Sequence, residues 1–378
     1  MWWNAKGPSP GPAEVRSRLT DEHRSRTIRL GSKAFVRATL AWAITLAGVV
    51  LAPWWAKIPL ALLNGGIIST LFLVGHDAGH GSLFPRRWMN RLSGRISFLP
   101  SLHPYTSWVH THNRLHHAFT SIKEKDPGFP PLTVEEYAQL SMFGRWLHRR
   151  KRTWYGLGLF YFLDMWAKWE AFPTRARSPK NPKAFQRDRA LVFAFAVAWI
   201  GGLGWYGWES GDGAIEMIAV GFVLPQLVWN WLIGFVIFQQ HTHPNIPWFS
   251  ERDLPSPTFF DAQVRATPHV ELPVQFRGAI RHIMEHTAHH ADPMVPHYRL
   301  ASAQQALEDA YPYEILKDHW TIRRFLRIFR ICRLYDYSNH RWLDYDGKPL
   351  TGALFPTKPV DVKRMEGMLS ELPLKASA

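Results

Sequence analysis

Four long apolar runs dominate the chain, at about residues 38–56, 58–75, 190–208 and 214–238. Each is close to the ~20 residues a helix needs to cross a bilayer. The first two are separated by little more than Lys57, and the last two by Glu209-Ser210-Gly211-Asp212-Gly213. Such short connections return the chain to the side it came from, so the pattern predicts two helical hairpins. The fold class expected is an all-α integral membrane protein with four transmembrane helices and a cytoplasmic helical cap. Residues 1–33 are polar and basic, without an apolar leader, and read as a cytoplasmic tail with a short interfacial helix over Glu14 to Leu30. Tyr155 to Phe172 is apolar but interrupted by Asp164, Lys168 and Glu170, which predicts a helix lying in the interface. Leu92 to Val109 reads as a similar or re-entrant piece. After 238 no run is long enough to cross. The division expected is a tail (1–33), a membrane and catalytic domain (34–305) and a cytoplasmic C-terminal region (306–378).

Charge refines this picture. A net charge of +15 could serve nucleic acid, but no recognition motif accompanies it, so no nucleic-acid partner is expected. The basic residues crowd the segments between and around the apolar pairs, whereas the two short turns carry only Lys57. By the positive-inside tendency the tail, the long middle segment and the C-terminal part face the cytoplasm, as in a bacterial inner membrane or its equivalent. Many of the nineteen tryptophans sit at the ends of the apolar runs, where aromatic belts form. The single Cys332 excludes a disulfide framework and any paired-cysteine metal site.

The chemistry lies in histidine. Of nineteen, twelve fall in a few stretches: His76, His80, His110, His112, His116, His117, His241, His243, His282, His286, His289 and His290. On a helix, His282, His286, His289 and His290 would share one face. His112 and His116 would share another, with His110 about half a turn away and so not a ligand. All clusters fall at or near predicted helix ends on one side of the membrane. Burying that many imidazoles without partners is costly, and together they suit metal. Thiolates are missing, which argues against structural zinc and iron–sulfur clusters. A zinc protease would carry glutamate where Asp77 stands, and a ferritin-like centre would need more glutamates. Eight or nine imidazoles are too many for one ion. A histidine-rich di-iron centre remains, with Asp77, Glu285 and Asp292 placed to accept from ligand N–H groups and His282 and His243 as outer residues.

These residues carry a family resemblance. His76-Asp77-x2-His80, then Trp108-x3-His112-x3-His116-His117, then His286-x2-His289-His290 resemble the three histidine boxes of the membrane fatty acid desaturases. With the intervening apolar pairs, the resemblance covers roughly residues 35–305. Gln240-His241-Thr242-His243-Pro244 and the later Pro296-x-Tyr298-x-Leu300 are similar to the Δ12 (omega-6) acyl-lipid desaturases of bacteria and plastids. The resemblance implies iron ligation by His76, His80, His112, His116, His117, His286, His289 and His290, with His241 as a further ligand outside the boxes. It implies two iron ions, O2 as co-substrate, and a fatty acyl substrate esterified to a glycerolipid, CoA or acyl carrier protein. Nothing resembles a fused haem domain with His-Pro-Gly-Gly, so an external electron donor is expected, and ferredoxin is the one implied.

The expected reaction is oxygen-dependent insertion of a cis double bond. The acyl chain would lie in an apolar tunnel between the second and fourth apolar runs, whose ends carry His76 and His241. A related hydroxylase or ketolase acting on alkane, lipid or carotenoid would use the same scaffold; Pro296-x-Tyr298 favours desaturation. A metal-binding transporter is the remaining alternative, but its polar groups belong near mid-membrane, whereas these histidines sit at helix ends.

Overall fold

A computed structural model describes residues 9–178, 181–253 and 256–354. Its architecture is mostly helical, and four helices are long and apolar enough to cross a membrane: Ile28–Leu51, Trp54–His80, Pro182–Ser210 and Ala214–His241. Each departs from its apolar run for a local reason. The first stops at Leu51 and not 56, because Ala52 and Pro53 adopt extended backbone, and proline disfavours a helical residue before it. Trp54 and Trp55 therefore open the second helix. That helix continues past Gly75 through His80 and is stopped by Gly81 at φ +76°, a left-handed cap that suits glycine. The fourth helix contains a π turn at Ala219–Val223 just before Pro225, which has no N–H to donate back along the helix.

The four helices pack through a few specific contacts. Asn64 on the second donates to the Trp42 carbonyl (3.1 Å) and the Thr45 hydroxyl (2.8 Å) of the first. Gly65 allows the fourth helix to approach closely, since a Cβ there would lie 2.6 Å from Val228 Cβ. Ile68, Phe72, Trp199 and Trp229 fill the space between them. The outward surface is apolar: Ile44, Phe193 and Trp205 are each about two-thirds exposed or more, as expected for side chains facing lipid. Buried Lys57 staples the two short turns together. Its Nζ donates to the Val49 (3.1 Å) and Val50 (2.7 Å) carbonyls at the end of the first helix and pairs with Asp212 at 3.3 Å.

At the other end lies the polar part, and it corrects several expectations. The chain is not purely helical: His269–Glu271 pairs in parallel with Lys317–His319, and Leu334–Asp336 pairs antiparallel with Arg341–Leu343. Leu92 to Val109 is two helices, Arg87–Phe98 and Tyr105–Val109. The stretch after Gly156 is helical as expected, but most of it, Tyr161–Ala171, is π-helical. Glu14 to Leu30 is not one helix; Pro12–Ser17 ends before Ile28–Leu51 begins. The tail does not stand apart either. Val15 and Leu19 are buried against Ala288, Val295 and Leu300, while Arg16 donates to the Ala291 carbonyl at 3.0 Å. Likewise the expected 305/306 boundary falls inside the helix His297–Ala310.

Lys57→Met would leave Asp212 and two carbonyls without their cation. It is expected to destabilise the fold by about 1–3 kcal/mol, read as a lower midpoint of thermal unfolding in detergent. An unchanged midpoint would show that the two turns do not depend on this side chain.

Candidate metal centre

The end of the second helix sets the position of the site. His76 and His80, one turn apart, present their rings on the same face with centroids 4.7 Å apart. Between them Gly79 leaves room for Trp108: a Cβ there would lie 2.2 Å from the indole Cζ3. Trp108 stacks on His112 at 4.4 Å and meets His76 and His80 edge-on. One indole thus fixes the first cluster against the second.

The second cluster lies on a π-helix, His110–His116, and not on an α-helix. The His117 N–H donates to the His112 carbonyl five residues back, at 3.0 Å. The wider turn separates residues that an α-helix would align. His112 joins His76, His80 and His289, while His116 joins His241, His286 and His290. π turns are rare and frequent at functional sites. The third cluster is a short α-helix, His286–Ala291, that begins only after Glu285. His282 is therefore off the helix; it and Arg281 have positive φ, 56° and 50°. His286 and His290, four apart, point to one group and His289 to the other. His241 is the last residue of the fourth helix.

Two groups of four result, and within each the candidate ligand nitrogens all lie within 4.8 Å of one another: His76, His80, His112 and His289; His116, His241, His286 and His290. His117 bridges them. Its Nε2 is 3.1 Å from Nε2 of both His112 and His289, and its ring stacks on His290 at 4.3 Å. The His241 and His286 Nε2 atoms are 2.9 Å apart. Metal–imidazole bonds of about 2.1 Å at right angles give adjacent nitrogens about 3 Å apart, so these spacings match a shared cation.

Hydrogen bonding selects the free nitrogens. Asp126 Oδ1 accepts from His116 Nδ1 at 2.7 Å, and Gln263 Oε1 accepts from His290 Nδ1 at 2.8 Å. Each contact leaves Nε2 directed to the group, as is usual for metal-bound histidine. Buried His80 Nε2 and His290 Nε2 have no hydrogen-bond partner among the described residues. Outside the long helices, burial first, and then neighbouring histidines, hold His112, His117, His286, His289 and His290 well below the ordinary imidazole range. They are neutral, the form that ligates. Burial works to raise the Asp126 carboxyl, but His116 and the Ser121 N–H (2.6 Å) override it, and the net shift is downward. The donor set fits two metal ions.

A narrow, mostly apolar cavity of about 60 Å³ opens beside both groups. Phe72, Leu73 and His76 of the second helix line one side, and Ile233, Val236 and His241 of the fourth line the other. Leu73, Ile233 and Val236 also line a separate apolar groove between those helices that reaches Leu63 and Phe276. Buried Glu170 also faces the cavity, and burial pushes its carboxyl up to about 8, leaving it neutral at pH 7.

The nine candidate ligands thus come together, with His117 between the groups and His110 outside both. The proposed carboxylate partners are engaged differently. Asp77 accepts mainly from His297 Nδ1 (2.6 Å) and lies 3.4 Å from His76 Nδ1. Glu285 holds His282 at 2.9 Å, and Asp292 holds Arg24 at 2.6 Å; neither bonds a clustered imidazole. His243 pairs with Asp318 at 3.6 Å. Asp126, Gln263 and His297, which do support the site, escaped the sequence reading. Asp126 had one signal, its place in the turn Asp126-Pro127-Gly128 soon after the second cluster.

Asp126→Ala is expected to weaken metal binding about 10–100-fold, whereas Asp292→Ala leaves it unchanged, measured as metal per chain after dialysis against a graded chelator. Equal loss in both would assign Asp126 a purely structural role.

Comparison with known proteins agrees with this geometry. The fatty acid desaturase family profile matches residues 52–321. The chain is 28% identical over 321 residues to an sn-1 oleoyl-lipid 12-desaturase of Picosynechococcus, covering 83% of this chain and 87% of that protein. It is 26% identical to the chloroplastic omega-6 fatty acid desaturase of Glycine max, covering 80% and 68%. It is 31% identical over 258 residues to the Synechocystis sn-1 acyl-lipid omega-3 desaturase (ferredoxin), covering 65% and 66%. The match spans both histidine groups and all but the start of the helical frame that holds them: the chain belongs to the fatty acid desaturase family.

Proposed function

We propose that the protein inserts a cis double bond into an acyl chain already carrying one, the oleoyl group of a membrane glycerolipid, at the Δ12 position. The apolar cavity beside both histidine groups, which shares Leu73, Ile233 and Val236 with the groove between the second and fourth helices, carries this reading. Relatives named for oleoyl-lipid and omega-6 substrates support the position and the carrier. Two irons would be held by His76, His80, His112 and His289 and by His116, His241, His286 and His290, with His117 joining the first group. Bound there, they supply with O2 the oxidising power to take hydrogen from an unactivated methylene. The balance per turnover is one CH2–CH2 unit, O2, two electrons and two protons in, and one CH=CH unit and two waters out.

The chain's own residues do the placing. Phe72, Leu73, Ile233 and Val236 hold the acyl chain and exclude water. Asp126 and Gln263 orient His116 and His290, and Trp108 fixes His112. Neutral Glu170 adds no charge to the apolar wall. The charge bias supports two hairpins with the histidine groups and cap at the cytoplasmic side of a bacterial inner membrane or equivalent. The catalytic domain would run from about residue 34 through the helix His297–Ala310, closed by the tail and by the C-terminal region, of which residues 355–378 lie outside those described. Electrons come from a separate donor, ferredoxin.

A host that makes oleate but no diene provides the test. Expression of the wild-type chain with a ferredoxin system is expected to produce a Δ9,Δ12 diene in its lipids, and His116→Ala or His289→Ala to abolish it together with bound iron. Hydroxylated chains would replace desaturation by hydroxylation. An unchanged lipid composition with iron bound and the donor reduced would refute an acyl substrate.

A further inference from the structure

The helix Ile322–Ile331 has the sequence Ile-Arg-Arg-Phe-Leu-Arg-Ile-Phe-Arg-Ile. Its spacing divides it sharply, with Arg323, Arg324, Arg327 and Arg330 on one exposed face and Phe325 and Ile328 buried on the other. Arg324 pairs with Asp318. Among the described residues no carboxylate pairs with Arg323, Arg327 or Arg330. The inward face packs on the fourth long helix: Phe329 stacks on Phe238 at 4.3 Å and 5°, and Phe325 meets Phe235 at 5.2 Å. Phe238 lies one turn before His241. The arginine face is therefore one aromatic layer from the helix end that enters the metal centre.

Beside it is a solvent-open depression lined by His243, Lys317, Asp318, Arg324 and Arg327. Its floor is tied to the same helix end, with Trp248 Nε1 donating to the His241 carbonyl (3.0 Å) and Trp342 Nε1 to that of His243 (3.2 Å). A second basic helix shows what a lipid-facing surface looks like in this chain. Met142–Lys151 exposes Met142 (88%), Phe143 (68%) and Trp146 beside Arg145, Arg149 and Arg150, a mixture suited to the bilayer interface. The helix Ile322–Ile331 has its apolar side covered by the protein and, beyond Ile322, offers mainly charge. That favours a hydrated acidic protein over lipid.

We propose that this arginine face, with the depression beside His243, is the docking surface for a small acidic one-electron carrier protein. The inference rests on the desaturase reading, which requires two electrons from outside. Each docking oxidises the carrier by one electron and delivers that electron to the centre, so two dockings serve one double bond. Unpaired rim arginines would steer the carrier and make its association salt-dependent.

The test uses the full chain in nanodiscs of neutral phosphatidylcholine, with a plant-type [2Fe–2S] ferredoxin as the acidic probe. The Arg327→Glu, Arg330→Glu double variant is expected to weaken binding at low salt about tenfold or more, and Arg327→Lys, Arg330→Lys to retain it. Desaturation driven by dithionite-reduced methyl viologen, which needs no docking, should be unchanged in both. Wild-type binding should also weaken as ionic strength rises from about 20 to 200 mM. Unchanged ferredoxin binding in the charge-reversed variant overturns the proposal, as does an effect of the substitutions seen only with anionic lipid, which would make the helix a lipid contact. Should charge reversal also lower viologen-driven turnover, Arg327→Gln, Arg330→Gln decides by the same two readouts. Wild-type chain giving no diene with viologen would instead refute the desaturase reading.

Discussion

Nine imidazoles, six buried and three half-buried, pointed at one another call for a cation, and much of the polar part of this chain serves to keep them so arranged. Within each group of four the nitrogens lie within 4.8 Å. Where the N–H of a neutral imidazole bonds outward, only its lone pair faces the group, and burial holds His112, His117, His286, His289 and His290 in that neutral form. Some supporting residues bond clustered imidazoles directly: Asp126 holds His116 and Gln263 holds His290. The Gln263 amide also donates to the His117 carbonyl at 2.8 Å, joining the second and third clusters. Asp77 also reaches His76 Nδ1 at 3.4 Å and, fixed by His297, ties the end of the second helix to the segment after the third cluster. Others act at one remove. Arg24 and Arg16 tie the N-terminal tail to that same segment. The tail is thus packed beside the third cluster without lining the site.

The division of ligands between two groups depends on helix type. An α-helix over 110–117 would align His112 with His116 and leave His117 aside. The π-helix rotates His116 toward Asp126 and His241, and returns His117 to His112. The third cluster achieves its split with ordinary α geometry, His289 leaving the face shared by His286 and His290. Two ions can then lie side by side although each ligand cluster is a single short segment. Bridging carboxylates are not needed for that arrangement, which fits the shortage of glutamate near the site.

What was legible in the sequence followed from period and composition. Apolar runs of near-membrane length located all four long helices, and repeated histidine spacings identified the nine imidazoles that converge. Boundaries were less legible. Run length measures lipid contact, whereas caps such as Gly81 and breaks such as Ala52-Pro53 decide where a helix ends. Helix type over 110–116 was not legible, because α and π turns share the same residues and are chosen by tertiary contacts. Two of the three carboxylates, Glu285 and Asp292, engage other partners for a related reason. Asp77, Glu285 and Asp292 adjoin the clusters in sequence, but Glu285 and Asp292 turn away to His282 and Arg24, while Asp126 arrives from a turn ten residues past His116. Glu170 read as an interruption of an interfacial helix because sequence cannot distinguish a charged carboxylate at a surface from a neutral carboxyl facing a cavity.

The fourth long helix separates the two supplies that the proposed chemistry needs. Ile233, Val236 and Ile237 face the cavity, while Phe238 faces the arginine helix and Phe235 meets that helix from the edge of the apolar groove. These positions lie on opposite sides of an α-helix, and both rows lead to His241. On the proposed reading, an acyl chain would approach from the lipid along one side while electrons arrive from water along the other. Altering the cavity side would shift which carbon meets the centre, whereas altering the outer side would change which carrier can dock.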